Sequence, residues 1–363
     1  MVFDRKSVQY GIEAYTRGDY AVALEVLAPL ANKGDTQAEY NLGLIYANGR
    51  GTARDYATSL KWFERAAAKG FADAQFSLGS RYYNGQGTDR DFGKASDWFT
   101  KAAEQGHARA QFNLAVMHKD GLAPRSNAAE AVHWFRRAAD GGIAQAQLEL
   151  AISLHTAQGV ERNFQEAATW YFKAAQNKDA VAQFSLGEMF RKGEGLPRSD
   201  VQALKWYRLA AEQGHSGAQG HLGLAHLLGH GMVQNLDEAQ SWYRRAAQQG
   251  DADAQFSLTM LQKSERLWPM ATSLSEADFS VLETTCKHPS TRMLTPKNSA
   301  NHVFWSEMEK LGWLQREAPP ADSLLTTKAF TLTQEGRRAL NRLVPAFKKA
   351  RARSESLRDR AEA

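Results

Sequence analysis

The chain has 363 residues, 43% apolar and 23% charged, which supports a folded protein rather than a disordered or fibrous one. Its one cysteine, Cys286, excludes an intramolecular disulfide framework, and no window approaches 18 uncharged apolar residues, which excludes a transmembrane helix. The formal charge of +5 comes from 45 basic and 40 acidic residues; residues 264–363 hold 16 and 12 of these (+4), leaving 29 and 28 (+1) for the rest.

Met1 to Lys6 carries charge and leads into no apolar run, so a cleavable secretory signal is not expected. Ser7 to Asp35 predicts two helices, with a turn at Arg17-Gly18 and a second start at Asp19-Tyr20 ending near Gly34. Residues 1–37 are therefore expected to form a divergent N-terminal capping unit.

From Ala38 a pattern recurs at Ala74, Ala110, Ala146, Ala182 and Ala218, with a truncated copy at Ala254; each step is 36 residues. A fixed period of this size is the signature of a solenoid, in which no unit buries its apolar face alone. Leucine fills one position (Leu42, Leu78, Leu114, Leu150, Leu186, Leu222). A small residue follows it (Gly43, Gly79, Ala115, Ala151, Gly187, Gly223), which predicts close approach of two helices. Gly-x-Gly pairs such as Gly85 and Gly87 then predict a tight turn. Asp55, Asp91, Asn127, Asn163, Ser199 and Asn235, with Asp19 before them, stand at the N-cap of a second helix, and Glu130, Glu166, Gln202 and Glu238 complete capping boxes. That helix stops at Gly34, Gly70, Gly106, Gly142, Gly214 and Gly250; Lys178 replaces the glycine once, leaving a looser turn or Asn177 in the role. Trp62, Trp98, Trp134, Trp170, Trp206 and Trp242 each precede an aromatic residue and then Ala-Ala, and this stripe is expected in the core.

The A-x-x-x-L-G, G-x-G, D/N, W-x-x-x-A-A and terminal G elements resemble Sel1-like repeats, relatives of the tetratricopeptide repeat, over about Ala38 to Leu261. The resemblance implies an all-α fold, a right-handed superhelical solenoid of antiparallel helix pairs. It also implies protein–protein recognition without catalysis by the repeats. Residues 38–264 would form six repeats and a final helix, and residues 1–37 resemble a tetratricopeptide repeat more than a Sel1-like one. Some secreted Sel1-like proteins carry a cysteine pair in every repeat; this chain does not, and with the missing signal that favours a reducing cytoplasm.

Periodicity stops after Leu261. Leu267 to Met270 is expected as a junction, followed by a helix from Ser275 to about Cys286. A second helix is expected from Asn298 or Ser299 to Leu311, strands at Trp313–Arg316 and Ala329–Leu332, and a helix capped by Thr333 and interrupted at Pro345. This order resembles a small α+β winged-helix-like domain over residues 265–349, with a charged tail at 350–363; the alternative is a small cap on the last repeat.

The functional expectation is an interaction scaffold that holds a partner protein or peptide. The alternative is a nucleic-acid-associated regulator with the solenoid as sensor. In tetratricopeptide-like stacks the first helix of each pair lines the groove, and i, i+4, i+7 spacing places Phe76, Ser80 and Tyr83; Phe112, Val116 and Lys119; and Phe184, Glu188 and Arg191 on that stripe. The phenylalanines could equally pack between adjacent repeats. Arg337, Arg338, Arg342, Lys348, Lys349, Arg351 and Arg353 form a basic run, read as a solvated helix face or tail, or as a contact for an acidic partner. The helix ending at Leu311 carries Glu307 and Glu309 against Lys310, so any nucleic-acid affinity should be weak and nonspecific. His215, His221, His226 and His230 share one repeat but make a weak zinc pattern, and Cys286 has no activating partner. No cofactor, metal or catalytic constellation is expected.

Overall fold

Ser7 starts the first helix by accepting a hydrogen bond from the Tyr10 N–H, and Gly18, at φ 89°, ends it. A computed structural model of the chain describes residues 7–272, 274–287, 293–296, 302–317 and 327–362. The residues fall into two compact units, Met1–Lys178 with Glu194–Leu196, and Asp179–Gly193 with Pro197–Ala363.

The first unit consists of helix pairs: α1 (Val8–Arg17) and α2 (Tyr20–Asn32), α3 (Thr36–Asn48) and α4 (Tyr56–Ala68), α5 (Ala72–Asn84) and α6 (Phe92–Glu104), α7 (Ala108–Lys119) and α8 (Ala128–Asp140), α9 (Ala144–Thr156) and α10 (Phe164–Gln176). The expected caps form at Asp55, Asp91, Asn127 and Asn163, each accepting from the backbone N–H three residues on. Asp19 makes no such bond. In the capping box at Asn163 the Glu166 side chain is drawn to Arg136 and to the Trp170 indole. Lys178 itself takes the left-handed conformation, at φ 63°, in the glycine's place.

The small residue after leucine has a geometric cause. A Cβ added at Gly43 would lie 2.5 Å from the Phe63 ring, so only a bare backbone lets that ring seat against the first helix. The residue after each tryptophan is thus the centre of the core: Phe63, Phe99, Phe135 and Tyr171 are all buried. The expected tryptophan stripe is core only in part. Trp134 and Trp170 are buried, whereas Trp62 and Trp98 are half-buried. Their faces carry cations one turn on: Arg65 lies 4.5 Å from the Trp62 centroid and Lys101 4.0 Å from that of Trp98.

The second unit repeats this construction in α11 (Ala180–Lys192) and α12 (Asp200–Glu212), then α13 (Ser216–Leu228) and α14 (Leu236–Gln248), and ends it with α15 (Ala252–Ser264). Tyr207 and Tyr243 fill the core positions against Gly187 and Gly223, while Trp206 and Trp242 are half-buried. Beyond Ser264 come α16 (Leu267–Ala271), α17 (Glu276–Lys287), β1 (Met293–Pro296), α18 (His302–Lys310), β2 (Leu314–Glu317), β3 (Thr327–Leu332) and α19 (Gln334–Glu362).

Several expectations change in this segment. The junction at Leu267–Met270 is a short helix, since Leu267 and Ala271 are both fully buried. A third strand, β1, pairs with β3, giving an antiparallel sheet in the order β1-β3-β2. Asn298 and Ser299, the expected start of α18, lie outside the described residues, as does the expected loop Ala318–Asp322. Pro345 does not break α19, which continues to Glu362. Val344, Ala346 and Phe347 are buried around the proline, and this packing holds the helix where propensity alone would kink it. Thr333 does cap α19, accepting from Gly336 N–H at 3.0 Å. The apolar interior is continuous with the last repeat: Leu258 and Leu261 of α15 join Phe279, Phe304, Trp313, Leu343 and Phe347 in one core.

Candidate functional site: the first-helix face and the cavity under the last helix

Register between repeats is held by buried amides. Gln75, Gln111 and Gln147 in the first unit, and Gln219 in the second, each donate to a carbonyl of the preceding second helix (Ala67, Ala103, Ala139 and Ala211). Gln75, Gln147 and Gln219, and likewise Gln183, accept from a residue 30 positions on: Gln105, Asn177, Gln249 and Gln213 respectively. In the first full repeat Glu39 and Lys69 stand at these two positions, and the amide pair becomes an ion pair of 2.7 Å. The residues facing outward from the first helices are therefore placed by a repeated polar clamp.

In the first unit the structure puts Phe76 half-buried, 4.6 Å from and stacked on His107, which caps α7. Phe112 lies 6.0 Å from the Phe135 ring, and Tyr83 packs edge-on against Phe92. The phenylalanines therefore pack between neighbouring elements while keeping a partly open face. Ser80 donates to the Phe76 carbonyl, and Val116 is half-buried. Lys119 is exposed and pairs with Glu149 at 2.7 Å.

In the second unit the predicted trio Phe184, Glu188 and Arg191 is drawn into a larger cluster. Arg191 donates to both Glu188 oxygens (3.0 and 2.6 Å), the Tyr207 hydroxyl donates to Oε1, and His221 Nε2 lies 3.2 Å from Oε1. The His221 ring stacks on Tyr207 at 4.7 Å, and Phe184 stacks on His215 at 4.4 Å. Burial opposes ionisation of Glu188, but the bonds from Arg191 and Tyr207 and the neighbouring positive charge outweigh it and hold the carboxyl at about 2. Burial lowers the His221 pKa, with Arg191 and Lys192 acting in the same direction and Glu188 against. The imidazole is thus neutral near pH 7, so its approach to the carboxylate is a polar contact rather than an ion pair. Tyr207 is pushed up, first by burial and then by Glu188.

His221 also lines a cavity of about 360 Å³ in the second unit, with Gly217, Gly220, Leu224 and Leu228 of α13, Tyr243 of α14, Asp251, Asp253, Ala254 and Ser257 at α15, and Asn341, Arg342 and Pro345 of α19. The basic run of α19 serves this packing. Arg342 donates to the Ser257 hydroxyl and to Asp253, Arg338 pairs with Asp253 at 3.0 Å, and Lys349 donates to the Gly229 carbonyl. Lys348 pairs with Glu283, and Arg351 with Glu276 and Glu355. Arg337 has the Cys286 thiol in range of its charge, and Arg353 is exposed. Much of what reads in sequence as a solvated face is a set of docking contacts to this unit's own helices.

Among the described residues no group of three His, Cys, Asp or Glu could hold a metal ion. Burial pushes the Cys286 thiol up to about 11, which leaves it protonated and a poor nucleophile. No helix of the described residues is long and apolar enough to cross a membrane. Tyr207, His221, Tyr243 and the glutamine clamps were not singled out from sequence as site residues. The glutamines were legible, since each follows the repeat alanine.

The Sel1 repeat family model matches residues 36–71, 72–107, 108–143, 144–179, 180–215 and 216–251. Among solved structures, c5321, a protective antigen of uropathogenic Escherichia coli strains with a Sel1-like repeat fold, is 34% identical, with a TM-score of 0.68. That alignment covers 77% of this chain and 60% of the longer protein. A Sel1 repeat protein from Oxalobacter formigenes is 30% identical, with a TM-score of 0.55, covering 68% of this chain and 97% of that one. No curated protein gives a match.

Proposed function

Since the chain belongs to the Sel1 repeat family, whose members are generally protein-interaction scaffolds, we propose that it holds a partner peptide against the first helices of its repeats. The observation that carries this reading is the Glu188 cluster. An ionised carboxylate is kept half-sheltered among Arg191, the core residue Tyr207 and His221, and His221 also lines a cavity. Half-buried aromatics at Phe76, Phe112 and Phe184 supply apolar contact area, and Lys119 and Arg191 supply charge for orientation. The Sel1 repeat family is typically non-enzymatic, so the proposed role is binding without chemistry.

The partner is proposed to be a protein and the compartment a reducing cytoplasm, because the sole cysteine is a half-buried, protonated thiol. A winged-helix-like role for residues 265–349 is the finer reading of the terminal segment. It gains no nucleic-acid function from the cations of α19, most of which are engaged with neighbouring helices.

The test is retention of partners from native lysate by wild-type protein, by Lys119→Ala with Arg191→Ala, and by Lys61→Ala on the second helix α4. Partners lost with the first-helix pair and kept with Lys61→Ala are expected. Equal retention by all three proteins would place binding elsewhere.

A further inference from the structure

The repeat position of Phe76 holds Tyr40, Phe112, Leu148, Phe184 and Phe256 elsewhere, and Gly220 in the repeat of α13. Three of these rings meet the residue at the start of the next first helix. Tyr40 lies 5.1 Å from Phe71, Phe76 4.6 Å from His107, and Phe184 4.4 Å from His215. At Gly220 the ring is missing and its counterpart is a carboxylate. A Cβ built there would have only Asp251 Oδ2 near it, at 4.0 Å. Gly220 lines the cavity of about 360 Å³, together with Asn341, Arg342 and Pro345 of α19.

Two polar atoms in the wall have unused capacity. Asp251 uses Oδ1 to cap α15 at 2.8 Å, and Oδ2 faces Gly220. Tyr243 is 3% exposed, and its hydroxyl is buried beside Ser257 without a hydrogen bond of good geometry among the described residues. A buried hydroxyl left without a partner is destabilising, so a group that pairs with it gains affinity. Leu224, Leu228, Ala254 and Pro345 supply the apolar part of the wall, and Arg342, which also lines it, is already engaged with Asp253 and Ser257.

We propose that this cavity receives a tyrosine side chain of the partner peptide: the ring restores the aromatic that Gly220 omits, and the phenol pairs with Asp251 and the Tyr243 hydroxyl. Arg342 at the wall is neutralised by Asp253, which leaves the Asp251 carboxylate to disfavour an acidic side chain, and a ring without a donor leaves Asp251 Oδ2 unpaired. This assignment rests on the peptide-scaffold reading above and names the anchor residue of the same face.

The test is titration of the full-length protein with N-acetyltyrosinamide, N-acetylphenylalaninamide and N-acetylleucinamide, monitored by the methyl NMR signals of Leu224 and Leu228. Saturable shifts are expected with the tyrosine probe, at least threefold weaker affinity for phenylalanine, and no saturation with leucine. Gly220→Phe, which refills the gap from within a helix, should abolish the tyrosine response. Asp251→Asn retains a capping side chain and should erase the preference for tyrosine over phenylalanine, an arm that stands even if Gly220→Phe fails to fold. No saturation by tyrosine in the wild type, a preference unchanged by Asp251→Asn, or undiminished binding by a folded Gly220→Phe would each overturn the assignment. Loss of partners with the first-helix variants but no tyrosine binding would sink this anchor and leave the scaffold reading in place; the reverse result would sink only the lysate-defined site.

Discussion

Phe76 and Gly220 stand at the same place in the repeat, yet one is covered by His107 and the other opens on a cavity. The repeat cores around them are built alike. Phe99 and Tyr243 are both buried against a glycine of the first helix, and Gln75 and Gln219 both clamp the preceding helix. The fold is carried by residues that repeat, so a position outside that set can change without loss of register. In a stacked array, binding differences arise where a side chain departs from the series while its structural neighbours do not.

The largest expected effect separates core from edge within one turn. Phe99→Ala should cost about 3–5 kcal/mol in chemical denaturation, and Trp98→Ala clearly less, because this half-buried tryptophan lies at the rim with Lys101 over its ring at 4.0 Å. If Trp98→Ala were the more damaging, the core would be centred where the tryptophan periodicity alone suggests. Next comes the clamp. Gln219→Leu removes the donor to Ala211 and the acceptor for Gln249, and should cost about 1–3 kcal/mol; no loss in thermal unfolding would show that register is held by apolar packing alone.

Glu188→Gln addresses the cluster. The folded carboxyl, held at about 2 against an ordinary 4.5, contributes stability that is complete above 4.5 and is lost as pH falls towards 2. The variant should be less stable than wild type at pH 7 and converge with it between pH 4.5 and 2. His221, lowered by burial, adds a separate loss in both proteins as pH drops below 6.5. A constant difference across the acid range would mean that Glu188 is not ionised in the fold. Lys119→Ala, removing an exposed pair with Glu149, should change stability by no more than about 0.5 kcal/mol; a larger drop in midpoint would make Lys119 part of the scaffold.

Legibility followed the same division. The 36-residue period, the caps at Asp91 and Asn163 and the left-handed glycines could be read because each is a local rule met again and again. The Glu188 cluster could be read only in part. Spacing on one helix joined Phe184, Glu188 and Arg191, but Tyr207 and His221 come from α12 and α13, and their approach depends on packing between helices. Pro345 and the basic run misled for a related reason. Propensity and charge describe a helix in water, whereas α19 is held by Phe347 in the core and by Asp253 and Ser257 across its polar side. The cavity had a sequence trace, the single glycine in a series of large apolar residues, which becomes a signal only once the ring's usual neighbour is known.

The most direct test of the account is photo-crosslinking from the face itself. Benzoylphenylalanine placed at Ser80 in the first unit and at Leu224 in the second should trap the same partner from native lysate, while the probe at Leu209, exposed on the second helix α12, should trap none. Equal capture from Leu209, or capture from Leu209 alone, would contradict the claim that the first helices form the binding surface.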